Sequence, residues 1–244
     1  MRRFFVDPQA IIDGIAHLSP AESLHIAAVL RLQPGDEIEL FDGTGTVYQG
    51  TLLKLSREQV SVRLVAAHRE EEKAPSLFLL QSLMKGKKMD FLVQKATELG
   101  VHTFQPVETR YSENRGNPER QQERWQRIML ESCKQCKRPM PMVISPLTDL
   151  KHIELPSGAA KIILWENEQQ QPLAPILFAE KESVCLYIGP EGGFHRDEIK
   201  IALEYGFQTI TLGSRTLRAE TAALATVAII QYLLGMLGNT DSAR

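Results

Sequence analysis

The chain has 244 residues and a mass of 27.4 kDa, enough for one large domain or two small ones with buried cores. Hydrophobic residues make up 43% and charged residues 24% of the chain, which excludes a largely disordered protein. The formal net charge of −2 gives no global signature of a nucleic-acid-binding protein, and no apolar run reaches the roughly 18 residues of a membrane-spanning helix.

The sequence predicts a soluble protein of a reducing compartment. Asp7 and Pro8 come before any apolar segment typical of a signal peptide can develop, and no C-terminal anchor signal follows. The three cysteines are an odd and small number, so we expect no disulfide framework. We therefore expect a cytoplasmic location and no membrane partner.

The first 73 residues are predicted to form a small β-rich domain. Ser19 precedes Pro20 and lies three residues before Glu22, which is the pattern of a helix start with a capping box. The predicted helix continues through Leu30. Alternating apolar residues predict strands at Ile38–Leu40, Val47–Leu55 and Val60–Val65.

The charged segment Glu70–Pro75 is the predicted linker, and it separates a domain of residues 1–73 from a domain of residues 74–244. Strands and helices alternate in the second domain. The predicted strands are Leu77–Gln81, Val101–Val107, Ile162–Trp165, Val184–Ile188 and Thr209–Leu212. The predicted helices are Lys87–Leu99, Asn117–Lys137, Arg196–Tyr205 and Glu220–Leu237. This alternation predicts an α/β domain with a mainly parallel sheet.

Several motifs elsewhere in the chain do not support a site. Cys133 and Cys136 form an isolated CxxC near a helix end, without the second pair or histidines of a zinc site. A thioredoxin motif would lie at a helix start. Strand-like alternation follows Gly43–Gly45, which indicates a hairpin turn instead of a cofactor loop. We expect no metal site.

Positive charge concentrates in one part of the chain. The segment from Lys85 to Arg138 has twelve basic and seven acidic residues, an excess of five positive charges. Such an excess is compatible with a polyanionic partner, but charge alone favours solvated helix faces.

Two buried strands near the C-terminus each end in a loop that mixes glycine with charge. The first loop is Gly189–Gly193, and the second runs from Gly213 through Arg215 and Arg218 to Glu220. Ligands of open α/β sheets bind beyond the carboxyl ends of strands, and glycine lets the backbone approach a ligand closely. Ordinary turns would share these features, but their combination in both loops favours a binding site.

These loops resemble the SPOUT methyltransferases and, more closely, the ribosomal RNA small subunit methyltransferase E family. Ile188–Phe194 reads IGPEGGF and Leu212–Ala222 reads LGSRTLRAETA, where the family pattern is GPEGG followed by LGxRILRxETA. Thr216 stands in place of the usual isoleucine, a departure that disturbs no proposed contact. Matching stretches in the same order cover nearly the whole chain: His25–Arg31, Lys88–Asp90, Lys95–Val101 and Glu131–Cys136.

The resemblance implies both a fold and a function. The fold would be an N-terminal PUA-like β-barrel that binds RNA, followed by a SPOUT α/β domain with a parallel sheet and a C-terminal deep trefoil knot. The protein would be a homodimer, although the apolar C-terminal helix fits a core equally well. The reaction would transfer a methyl group from S-adenosyl-L-methionine to N3 of the uridine at position 1498 of 16S rRNA, in the small ribosomal subunit.

The resemblance also implies roles for individual residues. Arg218 and Glu220 are the candidate catalytic residues, because loss of the uracil N3 proton calls for a base or for stabilisation of the anion. Glu220 fits equally well as an acid at a helix N-terminus, and core packing is an alternative for Leu217 and Ala222. The donor-binding residues would be Gly189, Pro190, Glu191, Gly192, Gly193, Leu212, Gly213, Leu217, Thr221 and Ala222. The residues expected to contact RNA phosphates are Arg2, Arg3, Arg31, Lys85, Lys87, Lys88 and Arg110.

Other functions stay open at this stage. A SPOUT ribose 2′-O-methyltransferase would share the donor site, and a non-catalytic RNA-binding or ribosome-assembly factor would share the fold. A nucleotide-binding enzyme that uses Gly192 and Gly193 for phosphate would lack the lysine of a phosphate loop.

Overall fold

The computed structural model of the chain describes residues 1–71, 75–112, 116–174 and 181–238. The chain divides into two compact units, one of residues 1–72 with 130–141 and one of residues 73–129 with 142–244. The predicted domain boundary between residues 73 and 74, and half of the predicted linker, lie outside the described residues. Within the described ranges, no helix combines the length and the apolar character that crossing a membrane requires.

The first unit is built on a six-stranded sheet with the order β1-β4-β5-β6-β3-β2. Its strands are β1 (Arg3–Phe5), β2 (Ile11–Ile12), β3 (Ile15–His17), β4 (Glu37–Phe41), β5 (Thr46–Leu55) and β6 (Val60–Arg69). β1 and β4 run parallel, and the other neighbours are antiparallel. The last three strands confirm the predicted ones, whereas β1 to β3 were missed because two or three residues are too few to show an alternation.

The predicted helix start at Ser19 is confirmed by its side chain. Ser19 Oγ accepts the backbone N–H of Glu22 at 3.3 Å, and α1 spans Pro20–Leu24. The complete capping box was wrong, because the Glu22 carboxylate pairs with Lys134 instead of the Ser19 backbone. A π-helical stretch, His25–Leu30, continues α1.

The second unit contains a parallel sheet with the order β10-β8-β7-β12-β11-β13, and β9 pairs with β8. Its strands are β7 (Ser76–Ser82), β8 (Thr103–Glu108), β9 (Val143–Ile144), β10 (Thr148–Asp149), β11 (Ala160–Leu164), β12 (Ser183–Ile188) and β13 (Gln208–Ile210). Its helices are α2 (Lys88–Glu98), α3 (Pro118–Cys136), α4 (Arg196–Glu204) and α5 (Ala219–Leu233), and α3 belongs to the first unit from residue 130 onwards. Short 3₁₀ turns occur at Pro8–Ala10 and Leu150–His152. The parallel sheet confirms the predicted α/β class.

Burial explains why the sequence of β12 is an unbroken apolar run. All six of its residues are buried, as expected for a central strand of a parallel sheet that is covered on both faces. α5 packs against β7, β12 and α2, and Gly100, two residues after the end of α2, has a φ of +78°. The sheet therefore holds the carboxyl end of β12 in a fixed, enclosed position.

Strand order brings three chain segments together at one edge of this sheet. Leu164, the last residue of β11, is paired in register with Ile188 of β12 on one side and with Ile210 of β13 on the other. Parallel strands present their carboxyl ends at the same edge. The loops after all three strands consequently start side by side.

Candidate active site

A cavity of about 580 Å³ lies at this carboxyl edge of the second unit's sheet. The loops after β11, β12 and β13 line it, together with Lys88 of α2 and the start of α5. Its volume lies within the range of about 300–1,000 Å³ that is usual for small-molecule sites. The glycine-rich loops predicted from the sequence are therefore parts of one site.

The loop Gly189–Gly193 packs tightly at its first residue. A Cβ atom on Gly189 would lie 3.0 Å from the ring of Phe194, closer than side chains tolerate without a shift. The carbonyl of Gly189 accepts a hydrogen bond from Nε2 of the fully buried Gln81 at 3.2 Å. Gln81, which the sequence analysis did not single out, thus fixes the point where the loop leaves the strand.

The last residue of the same loop needs glycine for two reasons. Gly193 donates its N–H to the carbonyl of Pro190 at 3.0 Å and has a φ of +70°. A Cβ atom there would overlap the Glu166 carboxylate, whose Cδ atom would be 3.1 Å away. The positive φ disfavours any residue with a side chain, and an added Cβ would also displace the exposed Glu166 carboxylate.

An ion-pair network joins α2, the first loop and α5. Lys88 Nζ lies 3.0 Å from Glu191 Oε1 and 3.5 Å from Glu220 Oε2, and the Lys85 backbone N–H donates to Glu191 Oε1 at 3.1 Å. Partial burial acts to raise the pKa of Glu191, but hydrogen bonds from Lys88 and Lys85 outweigh it and lower the pKa. The hydrogen bond to Glu191 raises the pKa of Lys88. Glu191 and Lys88 therefore both stay charged at neutral pH.

The second loop ends in the first turn of α5. Arg218 is the N-cap residue; it is exposed and lines the cavity, and its side chain has no hydrogen-bond or ion-pair partner within the described ranges. Leu217 also lines the cavity and is 38% exposed, so it is not a core residue. Glu220 lies in the first turn of α5, outside the lining; its buried Oε2 atom makes no hydrogen bond among the described residues but lies 3.5 Å from Lys88 Nζ.

Nine of the ten residues predicted to bind the donor line this cavity. The exception is Thr221, which is exposed on α5 and is not among the lining residues. Helix geometry explains the difference, because Thr221 and Ala222 point about 100° apart and only Ala222 faces inward.

The predicted RNA contacts are scattered over both units. Five of them are exposed, namely Arg2, Arg31, Lys85, Lys87 and Arg110. The prediction for Arg3 is corrected, because β1 places it in the interior, where its guanidinium contacts the Glu39 carboxylate and the Lys137 carbonyl. Lys88 also has a different place from the expected one, since it lines the cavity and is held by two carboxylates.

The sequence analysis missed the third wall of the cavity. Leu164, Trp165 and Glu166 form this wall at the end of β11. The signal was present, because this segment also follows a buried strand, but the loop has no glycine to draw attention to it. Tyr111 was missed as well; it packs against Gly192, where an added Cβ would lie 3.1 Å from the Tyr111 Cβ.

The arrangement offers charged groups of both signs and apolar surface. The Glu166 carboxylate lies in the lining, the Glu191 carboxylate is paired with Lys88, and Leu217 and Ala222 supply apolar surface. The guanidinium of Arg218, which has no partner among the described residues, offers a contact for an anionic or carbonyl-bearing group. The lining can therefore contact both cationic and anionic groups.

Comparisons with known proteins point in the same direction. Residues 70–231 match the RNA methyltransferase domain family, and residues 18–65 match the RNA methyltransferase PUA domain family. Ribosomal RNA small subunit methyltransferase E of Synechocystis sp. is 32% identical over 95% of this chain and 78% of its own length. The protein of the same name from Buchnera aphidicola subsp. Schizaphis graminum is 30% identical over 93% of this chain and 94% of its own.

Solved structures give the same result. The crystal structure of ribosomal RNA small subunit methyltransferase E from Neisseria gonorrhoeae, bound to S-adenosyl methionine, has a TM-score of 0.86 at 31% identity and covers 96% of this chain and 98% of that chain. A methyltransferase from Legionella pneumophila in complex with the same cofactor has a TM-score of 0.81 at 26% identity, with 95% and 97% covered. Both domain families predicted from the sequence are confirmed.

Proposed function

The chain belongs to the ribosomal RNA small subunit methyltransferase E family, and we propose that it methylates N3 of a uridine in 16S rRNA with S-adenosylmethionine as the donor. The observation that carries the proposal is the single cavity at the ends of β11, β12 and β13, which gathers the glycine-rich loops, Glu166 and Arg218. We further propose that the protein acts in the cytoplasm as a homodimer and that the segment around the cavity is knotted.

The lining residues fit S-adenosylmethionine, which supplies an activated methyl group on a positively charged sulfur. Gly189 and Gly193 lie in the lining, and the lack of a side chain at each lets the loop pack against Phe194 and Glu166. The Glu166 carboxylate complements positive charge, Glu191 is held by Lys88, and the apolar surface of Leu217 suits a flat purine base. These residues orient the donor and exclude water from it.

The target atom must lose a proton, because uracil N3 carries one before it is methylated. Arg218 is the residue placed to stabilise the resulting negative charge on the uracil carbonyl oxygens, since its guanidinium lines the cavity and has no partner in the described chain. The proton leaves to water, the N3 lone pair forms the bond to the methyl carbon, and the sulfur–methyl bond breaks with its electron pair on sulfur, so that S-adenosylhomocysteine leaves as the neutral product.

Glu220 has a supporting place in this scheme. It lies in the first turn of α5 and does not line the cavity, and its carboxylate is 3.5 Å from Lys88 Nζ. This position favours the helix N-terminal role over direct contact with the base. A role for Glu220 as the proton acceptor stays a prediction.

The RNA must present an unstacked base to this cavity, because the donor is enclosed by loops. We propose that the exposed cations Arg2, Arg31, Lys85, Lys87 and Arg110 contact phosphates of the substrate RNA. The affinity for RNA should then fall steeply with salt concentration.

Transfer of a tritiated methyl group to purified small ribosomal subunits that lack the modification tests the function directly. We expect label in the RNA and 3-methyluridine after digestion and mass spectrometry of the nucleosides. Label in a 2′-O-methylated ribose would replace the proposal with the ribose methyltransferase. Binding of subunits without any transfer would identify a non-catalytic factor instead.

A further inference from the structure

A second cavity of about 380 Å³ lies in the same unit, between the start of α2 and the start of α3. Within the described residues it has no lining residue in common with the first cavity. None of the residues predicted from the family resemblance to bind the donor, the target base or RNA phosphates lines it. The second cavity therefore needs an explanation of its own.

One short segment separates the two cavities. Leu83, Met84 and Gly86 lie between the end of β7 and α2 and line the second cavity. Lys88, two residues further on, lines the first cavity, and the N–H of Lys85 binds Glu191 of its glycine-rich loop. A molecule in the second cavity would thus contact the same segment that holds the donor loop.

The floor of the second cavity is apolar. It is formed by Leu83, Met84, Met89 and Trp125, of which no more than 6% of the surface is exposed in any one. A methionine-rich floor with a tryptophan suits the flat face of an aromatic ring, because thioether sulfur and aromatic groups attract one another.

The rim of the cavity is polar and positively charged. Arg124 is neutralised by its ion pair with Asp90, which leaves Arg120 as the uncompensated charge. The Arg120 side chain is exposed and has no hydrogen-bond or ion-pair partner in the described parts of the chain. Gln121 and Asn117 add amide groups, and the Asn117 Oδ1 atom accepts the backbone N–H of Arg120 at 3.0 Å.

A nucleotide combines the three groups that these surfaces recognise. Its base is flat and apolar on its faces, its base edge exchanges hydrogen bonds with amides, and its phosphate pairs with a guanidinium. Gln121 packs beside Gly116, where an added Cβ would lie 2.8 Å from its Nε2 atom, and its amide is a lining group that a base edge could contact. The cavity volume of about 380 Å³ leaves room for a single nucleotide.

We propose that this second cavity binds a nucleotide of the substrate RNA that flanks the methylated one, with its base on the apolar floor and its phosphate on Arg120. The inference rests on the proposed function, because it assumes an RNA substrate. It adds a second contact point that fixes the direction and register of the RNA across the Leu83–Asp90 segment.

The test compares two arginine variants of the same helix in the full-length protein. Arg120→Ala removes the rim charge, and Arg127→Ala removes an exposed arginine two turns further along α3 that lines neither cavity. The probe is a short fluorescent single-stranded RNA with a central uridine, titrated in the presence of S-adenosylhomocysteine.

Arg120→Ala should lower the RNA affinity about tenfold, the factor that corresponds to one charge-assisted hydrogen bond. The slope of log affinity against log salt should fall by about one. In methyl transfer to subunits, KM for the RNA should rise while kcat and the affinity for S-adenosylhomocysteine stay unchanged. Equal effects of Arg120→Ala and Arg127→Ala would overturn the proposal, because only diffuse charge would then be involved.

Gln121→Leu separates base recognition from charge. We expect it to reduce discrimination between probes that differ in the base next to the central uridine, with no change in the salt slope. Unchanged discrimination would rule out base binding in this cavity. If the wild type transfers no methyl group to subunits, the proposed function fails, whereas wild-type transfer with normal RNA binding by Arg120→Ala defeats only the present inference.

Discussion

At the residue scale, Gly193 shows how a missing side chain shapes the donor cavity. Its φ of +70° is in the left-handed region, and a Cβ would overlap the Glu166 carboxylate. Gly206 has a similar φ of +83° but nothing within 4 Å of an added Cβ. The two glycines therefore separate the effect of backbone strain from the effect of close packing at the site.

We expect Gly193→Ala and Gly206→Ala each to lower the free energy of unfolding by about 1 kcal/mol, because both force a side chain into a disfavoured backbone conformation. Donor affinity should fall in Gly193→Ala alone, since that Cβ displaces Glu166. Calorimetric titration with S-adenosylhomocysteine and thermal unfolding measure the two effects. Wild-type affinity in Gly193→Ala would contradict the assigned role of this loop.

Arg218 supports a second prediction for a single residue. Its guanidinium is unpaired in the described chain and lines the cavity, so Arg218→Ala should leave the fold and donor binding intact. Loss of one group that stabilises developing charge lowers the rate of a chemical step by about 10²–10³-fold. Single-turnover methylation of small subunits measures that rate. A near-normal rate would remove Arg218 from the mechanism.

At the scale of elements, Lys88 connects parts that are distant in sequence. It lies in the first turn of α2 and reaches Glu191 in the loop after β12 and Glu220 in the first turn of α5. The lowered pKa of Glu191 means that this link stabilises the folded protein above the ordinary carboxylate range and is lost only as the pH falls through the lowered value. The raised pKa of Lys88 means that its ion pair with Glu191 persists to a pH above the ordinary lysine range.

Replacing Lys88 should therefore change how donor binding depends on acid. In Lys88→Met the partial burial of Glu191 is no longer opposed by the Lys88 hydrogen bond, so its pKa rises. As the pH is lowered, we expect the variant to lose its affinity for S-adenosylhomocysteine at a higher pH than the wild type does. Lys87→Met is the matched control, because Lys87 is exposed and does not line the cavity. Identical acid limbs in both variants and the wild type would disprove the link.

At the scale of the whole molecule, residues 130–141 belong to the same compact unit as residues 1–72, although 57 residues of the chain lie between these two segments. Lys134 links the two segments of this unit, because its ammonium contacts the Glu22 carboxylate and lies 2.7 Å from Glu131. The side chains of Lys134 and Glu22 are only 12% and 11% exposed. Burial acts to lower the pKa of Lys134, but the two carboxylates outweigh it and raise the pKa.

We expect Lys134→Met to lower the free energy of unfolding by about 3 kcal/mol, because it leaves a buried carboxylate without its partner. Adding Glu22→Gln should restore most of this loss. Lys95→Met, which removes the more exposed pair with Glu98, should cost about 0.5 kcal/mol. Urea denaturation at neutral pH compares the variants.

The direction of the Lys134 pKa shift sets how the stabilising effect of this ion pair depends on pH. A raised lysine pKa contributes stability that is complete below the ordinary lysine range and disappears as the pH rises through the raised value. The wild type and Lys134→Met should therefore converge in stability only in strong alkali. Convergence at neutral pH would show that the pair does not stabilise the first unit.

The sequence by itself determined the α/β class of the second unit, most of its strands and helices, and the two loops that carry most of the donor-binding candidates. Apolar periodicity, proline at Pro118 and glycine at Gly100 are local signals, and a helix or turn depends mainly on neighbouring residues. Only the tertiary structure decided that Glu166 forms a third wall, that Lys88 belongs to the cavity and that Arg3 is buried. These places depend on strand order and on pairings such as Leu164 with Ile188 and Ile210, which join residues far apart in the chain. Such contacts are selected by the packing of the whole sheet, and no short stretch of sequence contains that information.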